Sequence, residues 1–191
     1  MRELALHIMD IIENGINAGA GLIRLNIQED RRKNRLRITI QDNGRGIPRE
    51  ILDKVTDPFF TTRTTRRVGL GLSLFREASK RCGGEFKIDS RPGEGTTVEA
   101  TFQMDHIDLA PMGDLTGALT TLMMGSPEVD FLYTHEIDGR RFVLDTREIR
   151  ETLDGVPLNN ARILKFISDM IEGGVEEIRG LQEKGGEGIE D

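Results

Sequence analysis

Four short segments carry side chains suited to a nucleotide and its metal. They are Asp10-Ile11-Ile12-Glu13-Asn14, Asp42-Asn43-Gly44-Arg45-Gly46, Asp57-Pro58-Phe59-Phe60-Thr61-Thr62-Arg63 with Val68-Gly69-Leu70-Gly71-Leu72, and Pro92-Gly93-Glu94-Gly95-Thr96-Thr97. Each is ordinary alone. In this order they offer a metal ligand, an adenine acceptor, a phosphate-wrapping loop, and glycines that let backbone close in. ATP with Mg²⁺ requires all four.

On a helix, His7, Asp10, Asn14 and Asn17 fall on one polar stripe, flanked by Glu13. Mg²⁺ takes oxygen ligands, keeps several waters and bridges phosphates. Asn14 offers an amide oxygen without adding negative charge beside a triphosphate. Asp10 and Glu13 are placed to hold or activate a metal-ordered water. Asp42 ends a strand; Asp-Asn-Gly is also good chemistry for a plain turn. As a pocket carboxylate it would accept a hydrogen bond from the adenine amine, with Gly44 and Gly46 letting backbone pass the base. Gly69-Leu70-Gly71-Leu72 opens a helix whose first N–H groups attract phosphate, and Arg63 adds charge to the preceding loop. Thr97 closes the last segment as a further nucleotide contact. Gly93 and Gly95 are expected to shape the pocket edge without touching ligand.

These residues need elements to hold them. Leu4, Ile8, Ile11 and Ile12 predict a helix over 3–18, closed by paired glycines. Alternation predicts strands over 22–28 and 35–41 joined by a charged turn. A short helix over 49–55 opens at Pro48, and helical spacing returns over 70–82. Two more strands follow, around Phe86–Ile88 and Val98–Phe102. Strands with interleaved helices give an α/β fold, a mixed sheet with helices on one face. The character changes around 104–112. Beyond it a helix (114–124), a hairpin (129–145) turning at Asp138-Gly139, and helices over 146–153 and 159–179 are expected. The expected divisions are 1–103, a small α+β region over 104–182, and a disordered Gly and acidic tail over 183–191.

The 191 residues hold no apolar run long enough for a transmembrane helix, and the first residues are too polar for a signal peptide. The cytoplasm is the expected compartment, with no membrane partner. One cysteine, Cys82, excludes an internal disulfide, and with three histidines argues against zinc. Residues 1–104 hold 18 Lys and Arg against 14 Asp and Glu; residues 105–191 hold 8 against 19. A basic half suits a polyphosphate, whereas the acidic half argues against nucleic acid as a partner. The second region shows no clustered chemistry and is expected to bind a protein or make a homodimer.

The segments resemble the conserved boxes of the GHKL ATPase/kinase superfamily, which includes gyrase, MutL and sensor histidine kinases. The strongest likeness is to the histidine-kinase ATP-binding domain, through residues 57–63, 69–72, Cys82-Gly83-Gly84 and 90–97. It covers about residues 1–103 and implies a Bergerat-type α/β sandwich binding ATP with Mg²⁺ under a lid. By position, Asn14 resembles the Mg²⁺ ligand and Asp42 the adenine-binding Asp. Gly44, Gly46, Gly69 and Gly71 resemble the pocket and lid glycines. Asp10 stands where the ATP-hydrolysing branches place a general base. Three departures are expected: a first strand that is missing or very short, because the helix that should follow it begins at residue 3; Arg67-Val68 within a compact lid; and no phosphoacceptor hairpin before the domain. Three readings follow: an enzyme that phosphorylates a separate protein or hydrolyses ATP, a nucleotide-gated switch with little catalysis, or a dimerisation platform that keeps the fold.

Overall fold

The structure, a computed structural model, describes residues 3–52, 70–153 and 155–180. The expected tail at 183–191 lies outside them, as do Arg63 and Gly69. Helix α1 (Leu4–Asn17) is followed by strands β1 (Leu22–Asp30) and β2 (Arg35–Asp42) and a short helix α2 (Arg49–Leu52). Next come α3 (Leu70–Arg81), β3 (Phe86–Arg91), β4 (Gly95–Gln103) and α4 (Leu115–Gly125). The chain continues with β5 (Asp130–Ile137), β6 (Arg140–Asp145), α5 (Thr146–Thr152) and α6 (Ala161–Gly180). Periodicity located these elements to within a few residues, since each has one apolar face to bury.

Six strands form one mixed sheet in the order β3-β4-β2-β1-β5-β6. One face is apolar: Ile23, Leu25 and Ile27 of β1, Leu36, Ile38 and Ile40 of β2, and Val98, Ala100 and Phe102 of β4 are all buried. Alternation sends Arg24, Arg35, Arg37, Gln41 and Lys87 to the other face. The helices cover the apolar face. α3 contacts β3 and β4, α1 contacts β1 and β2, α6 contacts β5 and β6, and α4 touches both α1 and α6. This is the α/β sandwich with helices on one side.

The break in composition near residue 104 is no break in the sheet. β5 pairs in parallel with β1 along its length, from Leu22 opposite Asp130 to Glu29 opposite Ile137. β6 returns through a two-residue turn in which Asp138 and Gly139 both take positive φ, 48° and 86°. That geometry suits a twisted hairpin and explains the Asp-Gly pair. A buried polar group fastens the β1–β5 seam. The His135 ring lies 2.8 Å from Glu29 Oε1 through Nε2 and 2.7 Å from the Tyr133 hydroxyl through Nδ1. A ring protonated at Nε2 satisfies both, donating to Glu29 and accepting from Tyr133. Burial works against the charge on Glu29, but the hydrogen bond from His135 and the nearby Arg179 and Arg31 guanidinium groups act the other way, and the carboxyl lies below its ordinary value. Among the described residues no helix is long and apolar enough to cross a membrane.

α1 is covered on two sides, by the sheet and by α3. Its buried residues are Leu4, Ala5, His7, Ile8, Ile11, Ile12 and Gly15. His7 therefore does not belong to a solvated stripe. It is 3% exposed, its ring centroid lies 5.5 Å from that of Phe75 on α3, and its Nδ1 is buried with no hydrogen-bond partner. Burial lowers its pKa to about 4. The unfolded chain then binds a proton that the folded chain refuses between about pH 6.5 and pH 4. Stability should fall as pH drops through this window, by up to about 3 kcal/mol from this group alone. Denaturant melts from pH 7 to pH 4 should show a shallower decline in His7→Phe than in wild type; parallel curves would contradict the buried neutral ring.

Candidate functional site

Helix α1 brings the chemistry to the end of β2. Gly15 is the point of contact: a Cβ built there would lie 2.8 Å from Asp42 Cβ and 3.1 Å from its Cγ. The last turn of α1 thus rests directly on the Asp42 side chain. Asp42 continues the alternation of Ile38 and Ile40, so its carboxylate points to the helix-covered face. Its Oδ1 accepts from the Gly44 N–H at 2.9 Å. Burial pushes the carboxyl above its ordinary value, against backbone hydrogen bonds from Gly44 and Thr96. A carboxylate with low access to water but few protein partners is well disposed to accept a hydrogen bond from a ligand.

The loop after Asp42 is pinned to the exit of α1. Asn43 Oδ1 accepts from the N–H groups of Gly21 and Leu22, both at 2.9 Å, and the Arg45 N–H donates to the Ala18 carbonyl at 3.0 Å. Gly44 packs against Ala18, and Gly46 against the Arg91 carbonyl. Gly95, at φ 104°, lies so close to the Asp42 carbonyl that no side chain fits. Gly95 thus shapes the edge of the site, as the glycine pattern implied. Ser90 Oγ accepts from the Ile47 N–H at 2.8 Å and donates to the Gly95 carbonyl at 2.9 Å, joining the two glycine turns.

On the other side of α1, Gly71 in the first turn of α3 lies over Asp10. A Cβ at Gly71 would sit 2.9 Å from Asp10 Cβ and 3.3 Å from Oδ2. Asp10 is half-buried, and both burial and the negative charge of Glu13 push its carboxyl above its ordinary value. Glu13 is exposed. Asn14 is one turn from Asp10, on the same side of the helix, and precedes the contact glycine. Asn17 is exposed, and its amide donates back to the Glu13 carbonyl at 2.6 Å. Leu72 is partly buried against the core. Leu70 begins α3.

The structure therefore groups Asp10, Asn14, Asp42, Gly44 and Gly71 around α1, with Gly46 at the rim. It does not bring Thr97 to them. Thr97 pairs with Gln41 on the open face of the sheet, whereas Thr96 stands opposite Asp42. Two participants were not singled out in the sequence, Gly15 and Thr96. A glycine inside a helix costs roughly 1 kcal/mol relative to alanine, which signals a close approach. Counting parity back from Val98 and Ala100 selects Thr96 over Thr97.

A sequence-family model described as "Histidine kinase-, DNA gyrase B-, and HSP90-like ATPase" matches residues 2–106. That is more than half of the chain, and the chain belongs to this family. Sensor protein kinase FleS of Pseudomonas aeruginosa is 35% identical over 105 residues, which are 55% of this chain and 25% of that protein. Sensor kinase CckA of Brucella abortus is 34% identical over 100 residues, 44% of this chain and 11% of that one. Sensor histidine kinase YxdK of Bacillus subtilis is 32% identical over 106 residues, 52% and 32% of the two chains. The chain thus spans about a tenth to a third of these relatives' length. A solved structure of the N-terminal domain of a DNA repair protein shares the fold, with a TM-score of 0.53 at 16% identity over 76% of this chain and 53% of that chain.

The packing at Gly15 has a direct consequence. Helix propensity alone makes Gly15→Ala stabilising by roughly 1 kcal/mol. The clash with Asp42 should reverse the sign and destabilise by about 1–3 kcal/mol. Urea denaturation measures this, and a stabilised variant would show that α1 does not sit on Asp42.

Proposed function

We propose that this chain binds ATP with Mg²⁺ at the α1–β2–α3 junction and uses it to act on a partner protein or to hydrolyse it, as a regulatory module of the histidine-kinase type. One observation carries the reading: α1, through the gap left by Gly15, lies against a half-buried Asp42 while Gly71 lies over Asp10. The two carboxylates belong to one helix-bounded site and differ in surroundings. Family membership over residues 2–106 supports the same ligand.

Asp42 holds the base. Gly44 occupies its Oδ1, and the remaining acceptor capacity suits the adenine amine, which guanine lacks at that position. Asn14 fits Mg²⁺ as its protein ligand. Among the described residues no three His, Cys, Asp or Glu side chains gather at metal spacing, so the remaining ligands would be phosphate and water oxygens. When bound, the metal neutralises phosphate charge and orders water. Asp10, made more basic by burial and Glu13, takes the proton of a water aimed at the terminal phosphorus. Glu13 stands as the second acceptor on the same turn. The first turn of α3, with Leu70 and Gly71, would meet the phosphates with its N–H groups; Arg63 and Gly69 precede it in the sequence and are proposed as further contacts to the nucleotide.

A second reading is a nucleotide-gated switch with little turnover. The attachment of α1 favours it: the Leu4 and Ala5 N–H groups donate to the carbonyls of Pro111 and Met112 at 2.9 and 2.8 Å. The helix that carries the site is thereby hung from the segment leading to α4, which ties the start of α1 to the second half of the chain.

Asp42→Asn should weaken ATP binding by about 10- to 150-fold, the loss of a hydrogen bond to a charged acceptor, about 1.5–3 kcal/mol. GTP should compete poorly for the wild-type site. Calorimetric titration with ATP, ADP and GTP decides this, and equal competition by GTP would remove the adenine assignment. Asp10→Asn should slow single-turnover hydrolysis while leaving ATP affinity nearly unchanged, because a general base acts in the transition state. If wild type, Asp10→Asn and Glu13→Gln all bind ATP but yield neither free phosphate nor labelled protein, the enzyme reading fails and the switch remains.

A further inference from the structure

A carboxylate such as Asp42 does not by itself choose between purines, because it accepts a hydrogen bond from any N–H at the right place. Adenine offers the N–H groups of its amine. A 6-oxopurine offers N1–H one atom further along the same edge, beside an oxygen that accepts. Two acceptors side by side fit the amine and oppose that oxygen, whereas a donor beside an acceptor fits the 6-oxopurine. The group next to Asp42 therefore decides. That group is Thr96. Ser90 on β3, Thr96 on β4 and Asp42 on β2 are directly paired and form one row across the end of the sheet. Alternation from Ile88, Val98 and Ile40 turns all three to the helix-covered face. Residues opposite one another in a ladder hold their Cβ atoms about 4.5–5.5 Å apart, and the Thr96 backbone N–H already bonds the Asp42 carboxylate.

Ser90 fixes which way the Thr96 hydroxyl points. It is 8% exposed, and its Oγ has three partners: the Ile47 N–H at 2.8 Å, the Gly95 carbonyl at 2.9 Å and Thr96 Oγ1 at 2.9 Å. A hydroxyl has one proton and two lone pairs. The Ile47 N–H takes one lone pair, and the Gly95 carbonyl takes the proton. One lone pair is left, so the Thr96 hydroxyl donates its own proton to Ser90. The Thr96 oxygen then has only lone pairs to turn elsewhere. Both anchors of this lock are backbone groups, one just after Gly46 and one at the start of β4, so it stands without a ligand.

We infer that Ser90 is a positioning residue for base selection: by holding the Thr96 proton it makes Thr96 an acceptor beside Asp42, and the site thereby admits a 6-aminopurine and refuses a 6-oxopurine. The inference rests on the reading of Asp42 as the base-binding residue and adds the group that sets the polarity of its neighbour. Calorimetric titration of ATP and inosine triphosphate into the whole chain tests it. Inosine triphosphate carries the 6-oxo group without the 2-amino group of GTP, so the comparison isolates this edge of the base. Wild type should prefer ATP. In Ser90→Ala the Thr96 hydroxyl is free to turn and donate to the 6-oxo group while Asp42 accepts N1–H. The ratio of the inosine triphosphate and ATP dissociation constants should then fall about three- to tenfold, the worth of one neutral hydrogen bond. Ser90→Thr keeps the hydroxyl and should keep the wild-type ratio. In a Thr96→Val background, Ser90→Ala should leave the ratio unmoved, because there is no hydroxyl to release. Loosened packing alone would weaken both nucleotides together and spare the ratio. A wild-type ratio in Ser90→Ala overturns this inference and leaves the Asp42 reading standing. A wild type that binds both nucleotides alike also overturns it, and one that binds neither removes the Asp42 reading along with it.

Discussion

The closeness of α1 to the end of β2 is the constraint on which the site depends. At Gly15 the helix backbone rests on the Asp42 side chain, and any larger residue would hold the two apart. Such a contact persists only if the helix cannot slide or roll. Burial on both sides supplies that restraint: Ile8, Ile11 and Ile12 are fixed in the core, while His7 is wedged against Phe75. α3 completes the clamp through Gly71. Two glycines on two helices therefore set two distances, and the rigid sheet behind them keeps both.

Placing Asp10 and Asp42 in partial burial gives them related but unequal environments. Both carboxyls are harder to ionise than in water. Backbone N–H groups offset this for Asp42, whereas Glu13 adds to it for Asp10. One is suited to accept a hydrogen bond from a neutral group and the other to accept a proton, so burial and near neighbours separate two residues of the same type.

Much of the architecture was legible because it is local. Alternation in 22–28 and 35–41 and helical spacing in 3–18 and 70–82 specify elements with one face to bury, and Asp138-Gly139 specifies its turn. What escaped the sequence depends on partners that periodicity cannot name. His7 was placed on the polar stripe because a helical wheel records one apolar face and cannot foresee that α3 covers part of the other. The joining of β5 to β1 was not visible either, since a strand's own pattern does not reveal its neighbour. In the site, Asp10, Asn14 and Asp42 stood out by residue type and spacing. Gly15 was hidden by having no side chain to attract notice, and Thr97 was preferred to Thr96 until the register with Asp42 settled which face each occupies.

The parallel seam between β1 and β5 joins residues more than a hundred positions apart in the chain. Loop closure over that length must precede any gain from pairing, which slows folding in proportion to such non-local contacts. Until β5 arrives, β1 is an open edge bearing unpaired N–H and C=O groups. A chain emerging from the ribosome would carry that bare edge through the synthesis of most of its length. The Glu29–His135–Tyr133 cluster then has a bearing on register: a slip of one residue would turn Tyr133 and His135 to the opposite face of the sheet and take from Glu29 its hydrogen bond to His135.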